Sequence, residues 1–312
     1  MQLHSIINLQ QRKNAFLLGL AIIFLSLFIY SSVVRPLLEQ LFPELPRIPG
    51  GIGIKTLFMM LFSIFHAAYV LGWRHTLLFF GITGAVSWSY EHVGVETGLI
   101  YGAYHYTDAL GLKLGHVPII IPIAWFMMIY PSYIIANLIG SGRPMMMGKK
   151  KDDDNNNNKS SRTPLVQILW LSFLSAVIMT AWDLVVDPYL SGPTEKAWIW
   201  EEDDSGGSQY FGVPLHNFGG WLLTTFTIYF VFRLLSERKF QVRPSGPLTT
   251  SIILLPLIGY GTMMVANIIP GEPPELRIIG PIVMGIPLAI AATRLLMNNN
   301  VGTAAYAKQP EE

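Results

Sequence analysis

The chain has 312 residues, of which 51% are apolar and 13% charged, with a formal net charge of +1 and no cysteine. Soluble domains carry about 25% charged residues, so this composition argues against a water-soluble enzyme and a disordered chain. The near-zero charge leaves no footprint for nucleic acid, and the missing cysteines exclude disulfides, thiolate metal sites and cysteine nucleophiles.

Apolar runs of bilayer-crossing length, roughly 17–25 residues, recur at Asn14–Val34, Leu57–Trp73, Thr76–Tyr90, Pro118–Gly140, Pro164–Val186, Gly219–Leu235, Thr249–Ile269 and Ile278–Met297. They predict an all-α polytopic membrane protein of about eight transmembrane helices, with residues 1–312 forming a single integral-membrane domain. The third run is short and is expected to continue through Glu91 inside the protein. Arg12 and Lys13 precede the first run with no small-residue cleavage site, so a retained helix is expected rather than a signal peptide. Eight spans place both termini on one side. With the N-terminus cytoplasmic, 15 of the 21 Lys and Arg residues fall on the cytoplasmic face, as the positive-inside rule requires.

Acidic residues run the other way, 14 of 20 lying opposite, together with His92, His105, His116 and His216. Carboxylates have little influence on topology, so their gathering at one mouth of the bundle needs another cause. The polar run at Gly148–Arg162 reads as a low-complexity, disordered cytoplasmic linker. The stretch 298–312 reads as a disordered tail.

One pattern occurs twice. The segment Glu91–Trp125 opens with Glu91 and Glu96, passes Tyr101-Gly102, and closes on Val117-Pro118-Ile119 and Trp125. The segment Trp182–Trp221 opens with Asp183 and Asp187, passes Tyr210-Phe211-Gly212, and closes on Val213-Pro214-Leu215 and Trp221. Both end in V-P-[IL]-x5-W. As an internal repeat, the two segments would form facing helix hairpins with a pocket at their interface, where membrane binding sites often form.

Asp183 and Asp187 are four apart and share a helix face, in a helix that Pro188 helps to end. An acid inside a bilayer costs about 2.5–3.5 kcal/mol on insertion scales, which makes it a functional candidate. Glu91 and Glu96, five apart, do not stack on an ideal helix, and Gly94 and Gly98 point to tight or irregular backbone there. Four carboxylates meeting in one apolar site cannot all ionise cheaply, so at least one is expected to keep its proton. A protonated acid facing an apolar pocket can protonate a carbon–carbon double bond. The resulting carbocation needs aromatic faces, each contributing roughly 0.5–2 kcal/mol. Trp125, Trp182, Trp221, Tyr101, Tyr104 and Tyr210 are the candidates to line that pocket. Trp198 and Trp200, in a hydrophilic loop, read instead as part of the interfacial aromatic belt. Asn217, beside His216 and before Gly219-Gly220, is placed to orient a water or a carboxylate.

These residues resemble the membrane carotenoid hydratase family, the group of bisanhydrobacterioruberin hydratase and γ-carotene 1′-hydratase. The matching stretches are E-x2-G-x-E-T-G-x2-Y-G-x-Y from Glu91 to Tyr104, Pro118 to Trp125, A-W-D-x3-D-P from Ala181 to Pro188, and Trp198 to Trp221. Together they cover most of residues 80–225. The resemblance implies addition of water across a terminal isopropylidene double bond of a long polyene, with a hydrophobic polyene or terpenoid, water and the lipid bilayer as partners. No cofactor, metal or nucleic acid is expected. Asp183 is the expected proton donor, Asp187 or Glu96 its partner, and Asn217 the orienting amide, with Glu91 completing the catalytic set. The insert Asp152–Asn158 departs from the prokaryotic members and points to a eukaryotic host, a different isoprenoid and, in that host, the endoplasmic reticulum.

Three other readings use the same residues. A terpenoid cyclase would quench the cation intramolecularly. A prenyl-diphosphate enzyme would use Asp183 and Asp187 for Mg²⁺, but basic residues near them are missing. A proton-coupled transporter would use the acids as a relay.

Overall fold

The computed structural model describes residues 2–44, 51–145, 163–201, 208–239, 244–270 and 272–306. The expected linker at Gly148–Arg162 lies outside them. Helix α1 (Gln2–Ile29) continues through a π-helical turn at Tyr30–Val34 into α2 (Arg35–Leu41). Next come α3 (Ile52–Val70) and α4 (Trp73–Thr97). The short strands β1 (Tyr104–Tyr106), β2 (Lys113–Leu114) and β3 (Val117–Pro118) lead into α5 (Ile120–Ser141). Helix α6 (Leu165–Leu190) precedes β4 (Trp198–Trp200), β5 (Gln209–Tyr210) and β6 (Val213–Pro214), which lead into α7 (Leu215–Lys239). The chain closes with α8 (Thr250–Ile268), α9 (Leu276–Val283) and α10 (Gly285–Tyr306). Helix α10 runs to Tyr306, and residues 307–312 lie outside the described part.

A long helical rod stands at each of the eight expected spans, α1 and α2 forming one rod and α9 and α10 another. Seven of the eight are long and apolar enough to cross a membrane. The eighth, α4, is 25 residues long and carries His75, Glu91, His92 and Glu96. Its extra length beyond Tyr90 is the continuation expected through Glu91. The protein is therefore an all-α, multi-pass membrane protein.

Four helices form the centre. Helix α5 packs on α6 and α7 packs on α4, while α4 and α5, and α6 and α7, form the two hairpins. Helix α5 is apolar on all sides, and Trp125 through Leu138 are all buried, as a helix without a polar face requires. Lipid gives no hydrophobic drive to helix pairing, so packing and interhelical hydrogen bonds hold the bundle. Phe79 of α4 stacks on Phe232 of α7 with centroids 3.9 Å apart. The Tyr229 hydroxyl donates to the Ile129 carbonyl at 2.9 Å and that of Tyr260 to Ile178 at 2.8 Å. Buried His66 ties α3 to Tyr130 of α5 at 2.7 Å and to the Ile252 carbonyl of α8 at 2.8 Å. Away from the acidic mouth, buried Arg233 donates to Asn137 Oδ1 at 2.7 Å and Ser175 Oγ at 2.9 Å, its guanidinium 4.3 Å from the centre of the Tyr133 ring.

The sequence repeat has a structural counterpart. Each V-P pair is the second strand of a two-residue hairpin, with Leu114 opposite Val117 in one and Tyr210 opposite Val213 in the other. Each hairpin then runs into its helix. The two turns use left-handed backbone at Gly115 (φ 62°), and at Phe211 (φ 50°) and Gly212 (φ 83°), as tight hairpins demand. Strands β1 and β4 pair antiparallel, Tyr104 opposite Trp200 and Tyr106 opposite Trp198, centred on His105 and Ile199. The antiparallel ribbon joins corresponding loops of the two halves, and the α4–α5 and α6–α7 hairpins occupy corresponding places in the repeat. The same 34-residue separation links Glu91 to Trp125 and Asp187 to Trp221. The repeat therefore matches Glu91 with Asp187, and Ser87 with Asp183; it does not pair Glu96 with either aspartate.

Gly220 admits the loop of the other half. A Cβ there would overlap the Ile100 carbonyl oxygen and stand 2.5 Å from Tyr101 Cδ1, whereas one on Gly219 would meet nothing within 4 Å. Gly220→Ala is expected to destabilise the fold by about 1–3 kcal/mol and Gly219→Ala to change little. Thermal unfolding midpoints of the two variants in detergent check the contrast.

Candidate active site

At the mouth where α4 and α6 end and α5 and α7 begin, an open cavity of about 60 Å³ lies between the two hairpins, under the β1–β4 ribbon. Its walls are aromatic. Trp125 and Trp221, the two repeat tryptophans, stack with centroids 4.1 Å apart and planes 15° from parallel. Trp182 meets Trp221 edge-on at 5.8 Å. Tyr101, Tyr104, Tyr106, Trp198 and Trp200 complete the ring.

Two carboxylates line the cavity, Glu91 and Asp187. Glu91, on α4, is buried and accepts three hydrogen bonds. The Tyr104 and Tyr106 hydroxyls donate to Oε2 at 2.5 and 2.8 Å, and the Trp125 indole donates to Oε1 at 3.2 Å. Burial and the nearby Glu91 hold both phenols well above the ordinary tyrosine range, so they remain donors at any physiological pH. The strand geometry explains the pair: alternate residues of β1 share a face, so Tyr104 and Tyr106 point inward while His105 is exposed.

Asp187, on α6, accepts from the Trp198 indole at 3.0 Å through Oδ1. Its Oδ2 accepts from Asn217 Nδ2 at 2.7 Å, and the same amide nitrogen donates to Asp183 Oδ2 at 2.9 Å. Asn217, at the start of α7, thus spends both amide protons on two carboxylates of the opposing helix. Asp183 Oδ1 is buried with no hydrogen-bond partner. Asp183 is fully buried and lies one helical turn below Asp187, behind the cavity wall. The acid expected to be the donor is therefore the inner member of the pair, and Asp187 is the member that faces the cavity.

Of the other residues read from the sequence, Glu91, Asp187, Asn217, Trp125, Trp182, Trp221, Tyr101 and Tyr104 come together at the cavity. Two do not. Glu96 stands at the exposed end of α4, its carboxylate 3.6 Å from both His92 and His116, because five residues along a helix turn it away from Glu91's face. Tyr210 packs edge-on against Phe211 and Phe218, outside the lining. His216 is exposed. Conversely, Tyr106, Trp198 and Trp200 belong to the cavity, although the tryptophans read as an interfacial belt. The signal was alternation: Tyr-His-Tyr and Trp-Ile-Trp each place two aromatics on one strand face. Pro188 falls within the last turn of α6, which runs on to Leu190. Among the described residues, no group of three or more His, Asp or Glu converges closely enough to hold a metal ion.

Comparison with known proteins bears on this site. The family described as "Carotenoid biosynthesis protein" matches residues 51–292, which takes in both hairpins and the whole cavity lining. Bisanhydrobacterioruberin hydratase of Haloarcula japonica is 31% identical over 139 residues, covering 44% of this chain and 38% of that protein. No solved structure matches.

Among the described residues, Asn217 is the side-chain donor to Asp183, and it also bonds Asp187. Asn217→Leu is expected to destabilise the protein by about 1–3 kcal/mol, the cost of stripping a buried acceptor. The loss should be smaller in Asn217→Leu combined with Asp183→Leu, which removes an acceptor along with the donor. Thermal unfolding of the single and double variants measures the difference.

Proposed function

Because the chain belongs to the carotenoid biosynthesis family, with a hydratase among its relatives, we propose that it is a carotenoid or isoprenoid hydratase, a hydro-lyase acting within the bilayer. Its substrate is a polyene or related terpenoid whose terminal isopropylidene group enters the aromatic cavity. Asp187, with Asp183 behind it and Asn217 between them, delivers a proton to the less substituted carbon of the double bond. The tertiary carbocation that forms on the neighbouring carbon is held by the faces of Trp125, Trp182 and Trp221. Water adds to it and loses a proton, which leaves a tertiary alcohol.

The observation that carries this reading is the convergence of two cavity-facing acids with a closed ring of indoles and phenols. The Asp183 and Asp187 carboxyls are drawn together on the two protons of one amide, and one proton held between them relieves their repulsion. A protonated carboxyl beside an apolar cavity is the donor that alkene protonation needs. Aromatic faces are what a cation in an apolar cavity needs. The likeness to the hydratase covers 38% of that protein's length, so the polyene it acts on is not transferred to this chain.

Expression in a host that accumulates an acyclic polyene such as lycopene tests the proposal by product mass. Hydration adds one water, cyclisation leaves the mass unchanged, and transport leaves the substrate intact. Asp187→Asn is expected to lower alcohol formation by about 10²–10⁴-fold, the usual contribution of a general acid. Asp183→Asn is expected to lower it too, since the pair then has no shared proton. Wild-type-like alcohol formation in Asp187→Asn would end the assignment.

A further inference from the structure

The repeat places two carboxylates in equivalent positions, each 34 residues before one of the stacked tryptophans, Glu91 in one half and Asp187 in the other, yet their surroundings differ. Where the second half has Asp183, the first has Ser87; where the second has Asn217, the first has Ile121, at the same separation from the stacked tryptophan. Glu91 therefore has no acidic neighbour on its own helix turn. It receives three donors, two phenolic and one indole. The two aspartates share the single amide of Asn217, and Asp187 also takes the Trp198 indole, with the Ser191 hydroxyl and Trp200 indole beside it. A carboxylate has about four acceptor sites and no donor when ionised. Three converging donors are the setting of an anion, since a protonated carboxyl would have to turn its own hydrogen away from them. Two carboxylates on one amide are the setting of a shared proton.

From this asymmetry we propose that the two halves of the repeat divide the reaction: the Asp183–Asn217–Asp187 half supplies the proton, and Glu91 is the base that receives one from the attacking water. The assignment rests on the hydratase reading above. Three of Glu91's acceptor sites are filled, and the fourth, on Oε1 beside the Trp125 indole, is left for a water proton. In the first step the carbon–carbon π bond breaks, its electron pair takes the Asp187 proton, and a C–H bond forms. In the second, a water oxygen lone pair forms the C–O bond to the cation while one water O–H bond breaks toward Glu91. The proton on Glu91 then passes back to the aspartate pair through cavity water. The enzyme is restored, and the net change is one water added. Between the steps the negative charge of Glu91 faces the cation across the cavity and supplies its counter-ion.

The two roles separate in D₂O. Purified protein is incubated with lycopene in deuterated buffer, and mass spectrometry follows both alcohol formed and deuterium in the recovered alkene. Deuterium enters the alkene when the cation forms and returns a proton to the aspartate pair instead of capturing water. Glu91→Gln is expected to lose alcohol by 100-fold or more while its recovered alkene still gains deuterium. Asp187→Asn is expected to lose both. Trp125→Phe, which frees a second site on Oε1 but keeps the carboxylate, should lower the alcohol-to-deuterium ratio about tenfold, and it carries the test should Glu91→Gln fail to fold. Alcohol formation in Glu91→Gln within threefold of wild type overturns the division of roles, as does a folded Glu91→Gln that admits no deuterium, or an unchanged ratio in Trp125→Phe. A folded wild-type protein that neither hydrates nor deuterates the polyene overturns the hydratase reading, and this assignment with it.

Discussion

The feature on which the rest depends is the burial of three carboxyl groups in an apolar helix bundle. An ionised group taken from water without partners is costly, and within a membrane the backbone and side chains must satisfy one another. The mouth of this bundle is built around that demand. The β1–β4 ribbon brings two phenols and an indole over the acids. The hairpins before α5 and α7 lead directly into the first turns that carry Trp125 and Asn217. The donors that satisfy the acids are mostly aromatic, so the residues that permit burial also make the cavity wall. A site that needed only to hide charge could have used amides and hydroxyls.

The second consequence concerns geometry. Phe79 on Phe232, Tyr229 on the Ile129 carbonyl and Gly220 against the opposing loop fix α4, α5 and α7 relative to one another, and Asn217 ties α7 to α6 through Asp183 and Asp187. The stacked Trp125 and Trp221 extend that order to the cavity floor. Neither indole can tilt without pushing its partner, and Trp125 also holds Glu91. The aromatic wall and the acid are thus one mechanical unit.

Much of this was legible in the sequence, and the reasons are local. Apolar runs of bilayer length give spans directly, and the V-P-[IL]-x5-W pair marks two hairpins because both use the same turn-into-helix device. Asp183, Asp187 and Asn217 stand out because polar groups in apolar helices are rare. What escaped notice depends on partners distant in the chain. Trp198 and Trp200 sit among acidic loop residues, and only their pairing with Tyr106 and Tyr104 turns them inward. Glu91 and Glu96 look alike in sequence; helix rotation and the reach of Tyr104 and Tyr106 distinguish them. The register of the repeat follows from counting back 34 residues from each tryptophan, which aligns Glu91 with Asp187 rather than pairing the carboxylates in order.

The hairpin pair also bears on why both halves belong to a single polypeptide. Identical subunits about a twofold axis present each side chain twice, so a dimer of either hairpin would carry two copies of one acid environment. Fusion lifts that restriction. Covalent linkage lets Ser87 oppose Asp183 and Ile121 oppose Asn217, which a symmetric assembly could not encode. Each hairpin supplies one indole of the stacked floor, so neither owns a complete chamber. Asymmetry at the acids and shared construction of the walls are compatible here because the two copies diverge independently while remaining tethered.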